Sequence, residues 1–312
     1  MLTRLSSYAK GTLITVMAVL VLSPDAVLVR LAKLDLWALL FWRSLFALAG
    51  FFLLTLVIEG RRTPAAYSRM GRLAALLACC YGGVTFLFVA SLVLTSAANA
   101  LILLATAPVF SAIYSRWFLG ESIRPRTVAA IVGCIVGIAI LVGGGFGSPS
   151  LWGDLCGLLS AMLWGAVITI MRASPRTNWS PAFSLAYLPV ILAAAFFAPT
   201  LVIPGASIPY LIAMGFIVYP VSFGLLQLAP RYLPAPEIAL FLLLETVIGP
   251  FLVWLFVGET PGAHAFLGGG IVLGVLVLHS MTGESNGQTG PRERTAVALP
   301  GHDLEVQKER HE

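Results

Sequence analysis

The sequence predicts an all-α integral membrane protein in which ten transmembrane helices form two inverted five-helix repeats. Three observations carry that prediction: ten apolar runs of 17 to 24 residues, a basic bias that alternates between their connections, and self-similarity at a displacement of 138 residues. An α-helix rises about 1.5 Å per residue, so roughly 20 apolar residues cross a hydrocarbon core of about 30 Å. With 59% hydrophobic and 11% charged residues and a mean hydropathy of +0.94, the chain is far more apolar than a soluble domain.

The runs fall at 11–31, 35–58, 73–92, 97–119, 127–145, 152–171, 182–203, 208–228, 235–257 and 265–281. The first follows Lys10 and stops before Lys33; the second ends ahead of Arg61 and Arg62; the third follows Arg69 and Arg72. The fourth ends at Leu119-Gly120-Glu121, and the fifth starts after Arg124 and Arg126 and closes on Gly143-Gly144-Gly145. Turn residues then separate the later runs, as in Gly147-Ser148-Pro149, Ser174-Pro175 and Pro204-Gly205. The ninth ends at Gly258-Glu259. None of these short connections has room for a soluble domain. The predicted organisation is a first repeat over 1–146, a second over 147–282, and a polar tail over 283–312 too poor in apolar residues to fold alone.

Sidedness follows from the basic residues. With the N-terminus in the cytoplasm, sixteen Lys and Arg side chains fall inside and only Arg30 and Lys33 outside, with Arg43 left within the second run. The expectation is a multi-pass protein of a bacterial inner membrane with both termini cytoplasmic. The same distribution argues against nucleic acid as a partner, since the positive charge is sorted by membrane side instead of gathered in a patch. Cys79, Cys80, Cys134 and Cys156 all lie in apolar runs, so they read as packing residues. His264 and His279 are isolated, and no metal-ligand spacing, phosphate loop or nucleophile–base grouping is evident. No metal or cofactor is expected.

Shifting the chain by 138 places Tyr81 on Tyr219, Ala97 on Ala235, Leu104 on Leu242, Val109 on Val247, and Phe118, Gly120 and Glu121 on Phe256, Gly258 and Glu259. Five is an odd number, so a second five-helix copy would run through the membrane upside down, the architecture of alternating-access carriers. The segment from Thr95, TSAANALILLATAPVFSAIYSRWFLGESIRPRTVAAIVGCIVG, and its counterpart from Pro236, PEIALFLLLETVIGPFLVWLFVGETPGAHAFLGGGIVLG, resemble the EamA repeat of the drug/metabolite transporter superfamily. The resemblance covers residues 10 to 281 and implies ten helices and transport of a small metabolite. In the second copy Thr246 stands where the family often has proline after the glutamate, so less kinking is expected there. A membrane-embedded enzyme and a non-transporting scaffold are the rival readings. The first lacks a catalytic grouping, and the second has no need of charges within the bilayer.

Those charges are the main site candidates, because a charged side chain at mid-bilayer costs at least about 2.5–3.5 kcal/mol. Asp25 and Arg43 sit at similar depth on adjacent antiparallel spans, within reach of an ion pair. Two readings stand: a structural bridge that locks the first hairpin, or a guanidinium that holds an anionic part of the substrate while Asp25 orients it or exchanges a proton. Glu245, in the middle of the ninth run, reads either as a coupling or substrate residue or as a hydrogen-bonded packing residue. Tyr81 and Tyr219 are repeat-equivalent and suited to a cavity wall. Trp42 and Trp164 are further wall candidates, against the commoner part of packing or lipid-facing aromatics.

Gly120, Glu121, Gly258 and Glu259 read as a structural motif at helix ends, their carboxylates accepting from a loop or from the next helix. Gly133 and Gly137, with Gly270 and Gly274, give small-xxx-small faces for packing within the chain or across a homodimer. Pro24, Pro108, Pro189, Pro220 and Pro250 should loosen their spans. The partners expected are a small-molecule substrate and membrane lipids.

Overall fold

The computed structural model describes residues 6–95, 97–142, 150–258 and 263–284. Among them all regular structure is helical. Eight helical stretches are long and apolar enough to cross a membrane: Ser7–Ala32, Leu36–Ser68, Arg72–Ser91, Asn99–Phe118, Leu151–Ala173, Ser180–Phe197, Gly205–Arg231 and Ala235–Val257. Two shorter apolar helices, Pro125–Leu141 and Phe266–Thr282, occupy the places of the fifth and tenth predicted spans. Glu259 and the tail from 285 onward lie outside the described residues.

Several of the stretches are not single helices. The first is divided into α1 (Ser7–Leu22) and α2 (Asp25–Ala32) by Ser23-Pro24. The proline supplies no backbone N–H, and the Ser23 hydroxyl turns back to donate to the Val19 carbonyl at 2.8 Å. Helix α3 (Leu36–Glu59) is capped by Asp35, whose carboxylate accepts from the Trp37 and Ala38 amides at 3.0 Å. A short helix α4 (Thr63–Ser68) leads to α5 (Arg72–Leu94). The fourth stretch breaks between α6 (Ala97–Leu104) and α7 (Ala107–Phe118), and α8 (Pro125–Val142) follows.

The second half repeats this plan with differences. Helices α9 (Leu151–Ala173) and α10 (Ser180–Phe197) are continuous, α10 even across Pro189. Next come α11 (Ile208–Ile212), a π-helical turn at Ala213–Val218 ahead of Pro220, and α12 (Tyr219–Leu226). Helices α13 (Ala235–Leu242) and α14 (Glu245–Val257) are separated at Leu243-Leu244, and α15 (Ala263–Glu284) closes the described chain. The break at 243–244 is the one at 105–106 displaced by 138 residues, although Thr246 replaces the proline. In both copies a threonine hydroxyl takes up a carbonyl of the broken turn, Thr106 donating to Leu103 at 2.6 Å and Thr246 to Leu243 at 2.7 Å. The helix thus breaks at this position although the second copy has no proline there.

Packing obeys the same displacement. Helices α3 and α10 pack together, as do α8 and α15; α5 against α9 is answered by α12 against α1, α6 against α9 by α13 against α1, and α7 against α9 by α14 against α1. Gly120 (φ +64°) and Gly258 (φ +81°) end equivalent helices in the left-handed conformation that glycine adopts without a Cβ penalty. The α8–α15 contact needs bare backbone: a Cβ on Gly137 would lie 2.8 Å from Val272, and one on Gly268 2.2 Å from the Leu141 nitrogen. Gly268 was not singled out by spacing, whereas Gly270 and Gly274 meet nothing within 4 Å. Their face of α15 points away from the bundle, which spacing could not tell because a helix apolar all round gives no clue to which side is inward.

Hydrogen bonds tie like ends together. At one end Ser207 donates to the Ala32 carbonyl and Thr95 to Asp154. At the other, Asn178 donates to Glu59, Arg231 to the Pro175 carbonyl, and the Trp179 amide to Gln227. The second end also carries Arg61, Arg62, Arg69, Arg72, Arg124, Arg126, Arg172 and Arg176, and is called here the arginine-rich end.

Candidate functional site

A cavity of about 210 Å³ opens from mid-depth toward the opposite end. Its wall includes Asp25, Arg43, Tyr81, Trp164, Tyr219 and Glu245, joined by Thr85, Phe88 and Phe223. Six of the seven residues singled out from sequence are therefore brought together. Trp42 is not on this wall: its Nε1 donates to the Leu201 carbonyl at 2.9 Å and its ring packs near Phe41 and Phe46.

The helix breaks position the charges. Asp25 is the first residue of α2 and Glu245 the first of α14, so both carboxylates sit at the N-terminal ends of half-helices, where aligned peptide dipoles favour negative charge. Helices α2 and α14 pack on each other, which puts the two acids on neighbouring elements. Arg43 reaches across from α3, its Nη1 3.3 Å from Asp25 Oδ2. Its guanidinium also stacks 5.0 Å from the centroid of the Tyr219 ring.

The pair is not closed. Asp25 Oδ1 is buried with no hydrogen-bond partner, and the Tyr219 hydroxyl beside it also lacks one of good geometry. Glu245 accepts no hydrogen bond from any described residue. Polar groups in such a site cost free energy unless water or a ligand satisfies them. A solute with donors and an anionic or carbonyl edge could do so.

Below the charges lies an aromatic floor. Tyr81 packs edge-on against Phe183 at 5.1 Å, Phe223 at 5.4 Å and Tyr187 at 5.7 Å, with Trp164 at 5.9 Å. Phe51 backs Phe183, Tyr187 and Phe223. The Tyr81 and Tyr187 hydroxyls share a hydrogen bond of 3.0 Å. The repeat-equivalent tyrosines thus differ in use: Tyr81 belongs to the floor and Tyr219 to the charged wall. Phe223 and Phe183 escaped sequence reasoning, though each stands four residues from a tyrosine of the site, Tyr219 and Tyr187, on the same helix face.

Beneath the floor, ion pairs seal the arginine-rich end. Glu121 accepts from Arg172 Nε at 2.8 Å, and Arg172 also donates to the Pro230 carbonyl. The motif carboxylate therefore pairs with an arginine on α9, instead of accepting from a loop or from the next helix. A second knot was not expected. Arg126 Nη2 lies 3.5 Å from Glu237 Oε1, and the guanidinium sits 5.5 Å from the Tyr8 ring. Glu237 and His279 are 2% and 4% exposed, and among the described residues Arg126 is the base within ion-pair distance of the acid. The only sequence signal was an acid in the first turn of a span, which reads as interfacial.

Comparison with known proteins now decides the family. The profile of the EamA-like transporter family matches residues 9–143 and 151–281, one copy on each half. This chain belongs to the EamA-like transporter family. Its long apolar helices make it a multi-pass membrane protein, built on the two-repeat architecture of that family. The riboflavin transporter of Rhizobium johnstonii (strain DSM 114642 / LMG 32736 / 3841) is 29% identical over 186 residues, which is 56% of this chain and 59% of that relative. The chain thus spans less than two thirds of the length of that curated relative. A solved crystal structure superposes on 89% of this chain and 98% of its own with a TM-score of 0.77 at 18% identity, so the fold recurs at low identity.

Proposed function

We propose that this EamA-like protein is a secondary carrier of ten spans in two inverted five-helix repeats, over 1–146 and 147–282, that moves a small organic solute by alternating access. The observation that carries the reading is the cavity holding Asp25, Arg43 and Glu245, open toward one end and floored by packed aromatics toward the other. The packing that repeats under a displacement of 138 supports two exchangeable halves. At about 210 Å³ the cavity is tighter than the roughly 300–1,000 Å³ of ordinary ligand sites, so a solute enters by widening it. The arginine-rich end faces the cytoplasm in this reading, with both termini and the tail over 283–312 on that side.

The solute class is a planar heteroaromatic with polar edges. Tyr81, Trp164 and Phe223 offer ring faces, while Arg43 and the free oxygen of Asp25 offer an acceptor-binding fork and a donor-binding site. Riboflavin, the solute in the name of the relative, has that shape and is the first compound to test. Export or exchange is the proposed direction, and Glu245 the proposed proton carrier.

Counterflow in proteoliposomes tests this directly. Vesicles preloaded with riboflavin or another flavin should accumulate labelled solute, and a pH gradient should stimulate flux in the native protein but not in Glu245→Gln. No counterflow with any planar heteroaromatic would overturn the solute class. An unchanged response to the gradient in Glu245→Gln would remove the proton role alone.

A further inference from the structure

A second cavity, about 670 Å³ and unrelated to the transport site, lies at the arginine-rich end between the C-terminus of α3, the short helix α4 and the start of α10. Arg62 and Arg69 line it, with Glu59, Met70, Asn178 and Pro181 among the other wall residues. We propose that this groove binds a phosphate-bearing anion, with the headgroup of an anionic phospholipid as its source in the membrane.

Charge is the first argument. Among the described residues neither Arg62 nor Arg69 has an acid within ion-pair distance or a hydrogen-bond acceptor. The one carboxylate on the wall, Glu59, already accepts from Asn178 Nδ2 at 3.0 Å. Two arginines thus outnumber the one acid on the wall of a roomy groove, and planar guanidinium forks match phosphate oxygens. Arg61 stands directly beside Arg62 and Arg72 three residues after Arg69, and both add to the local potential.

Position is the second. The last turns of α3 present Leu56, Val57 and Ile58 at 43%, 74% and 50% exposure, and the next residue is Glu59 of the groove. A surface that passes from exposed apolar side chains to the Arg61-Arg62 pair within about one helical turn is where a phospholipid phosphate sits. The groove is also held in shape: the Tyr67 hydroxyl on α4 and the Ser184 hydroxyl on α10 are 2.7 Å apart. Because α4 belongs to the first repeat and α10 to the second, an anion here bridges the two halves.

The test is lipid retention by the full-length protein in native mass spectrometry. Phosphatidylglycerol should be kept in preference to phosphatidylcholine. Arg62→Gln/Arg69→Gln should weaken that retention roughly thirtyfold, at about fivefold per arginine. Arg62→Lys/Arg69→Lys, which keeps the charge, should recover most of it, and the two single variants should each fall between, so that the reading survives even if the double glutamine variant folds poorly. Inorganic phosphate separates the sources. If it displaces phosphatidylglycerol at low millimolar levels the groove is a free-phosphate site, and if it does not the headgroup is the ligand. Equal retention of the two lipids, or unchanged phosphatidylglycerol retention in both single variants, would overturn the proposal.

Discussion

The two ends of the bundle place buried charge in different surroundings. At the cavity end, Asp25 and Arg43 keep side-chain exposures of 14% and 25% and leave one carboxylate oxygen unpaired. At the arginine-rich end, Glu237 is 3% exposed against Arg126 at 18%, Glu121 and Arg172 join a carbonyl at 26% and 25%, and each acid likewise leaves one oxygen unpaired. A pair on a cavity wall has room to meet a solute, whereas a pair packed among helix ends holds those helices together. The difference separates a binding surface from a clamp, although both are built from the same two residue types.

The strongest way to break the comparison is to open the clamp. Glu237→Ala leaves the Arg126 guanidinium without its counter-ion in a mostly buried site, so stability should fall by about 3–5 kcal/mol, read as a large drop in melting temperature. Asp25→Ala should cost far less, because water reaches its partner. Equal losses in the two variants would erase the distinction. Next, Arg43→Lys keeps the charge but loses the fork, and flux should fall about tenfold with the melting temperature unchanged.

Smaller effects sharpen the boundary between floor and wall. Tyr187→Phe removes one neutral hydrogen bond to Tyr81 and should cost about 1 kcal/mol of stability, with little change in solute affinity. Tyr219→Phe, by contrast, should shift the KM for flux more than the melting point. Least of all, Trp42→Phe gives up only the bond to Leu201 and should leave KM unaltered. A marked KM change there would place Trp42 in the solute path.

What could be read from the chain was set by scarcity. Asp25, Arg43 and Glu245 stood out because charge is costly within an apolar run, and depth counted from span ends brought the first two together. Tyr81 and Tyr219 came from the repeat. The Arg126–Glu237 knot did not, because charges in the first turn of a span look solvated until the fold shows four helix ends converging on them. Trp42 and the Gly270/Gly274 face failed for a related reason: a helix apolar on every side carries no moment to tell inward from outward, and rotation about its axis is fixed only by packing. The break at Leu243-Leu244 escaped because no proline marks it in the sequence.

Those interrupted helices carry a mechanical implication. At 105–106 and 243–244 the backbone closes tight i→i+3 turns, Thr106 to Leu103 and Leu243 to Leu240 among them. Such turns rise about 2.0 Å per residue against about 1.5 Å in the regular helix. Rewinding a few residues would shorten a rod by roughly an ångström or two and draw Glu245 along its axis without tilting any neighbour. The stroke would then be a ratchet of winding, visible as slowed amide exchange at Leu243 and Leu244 when solute binds.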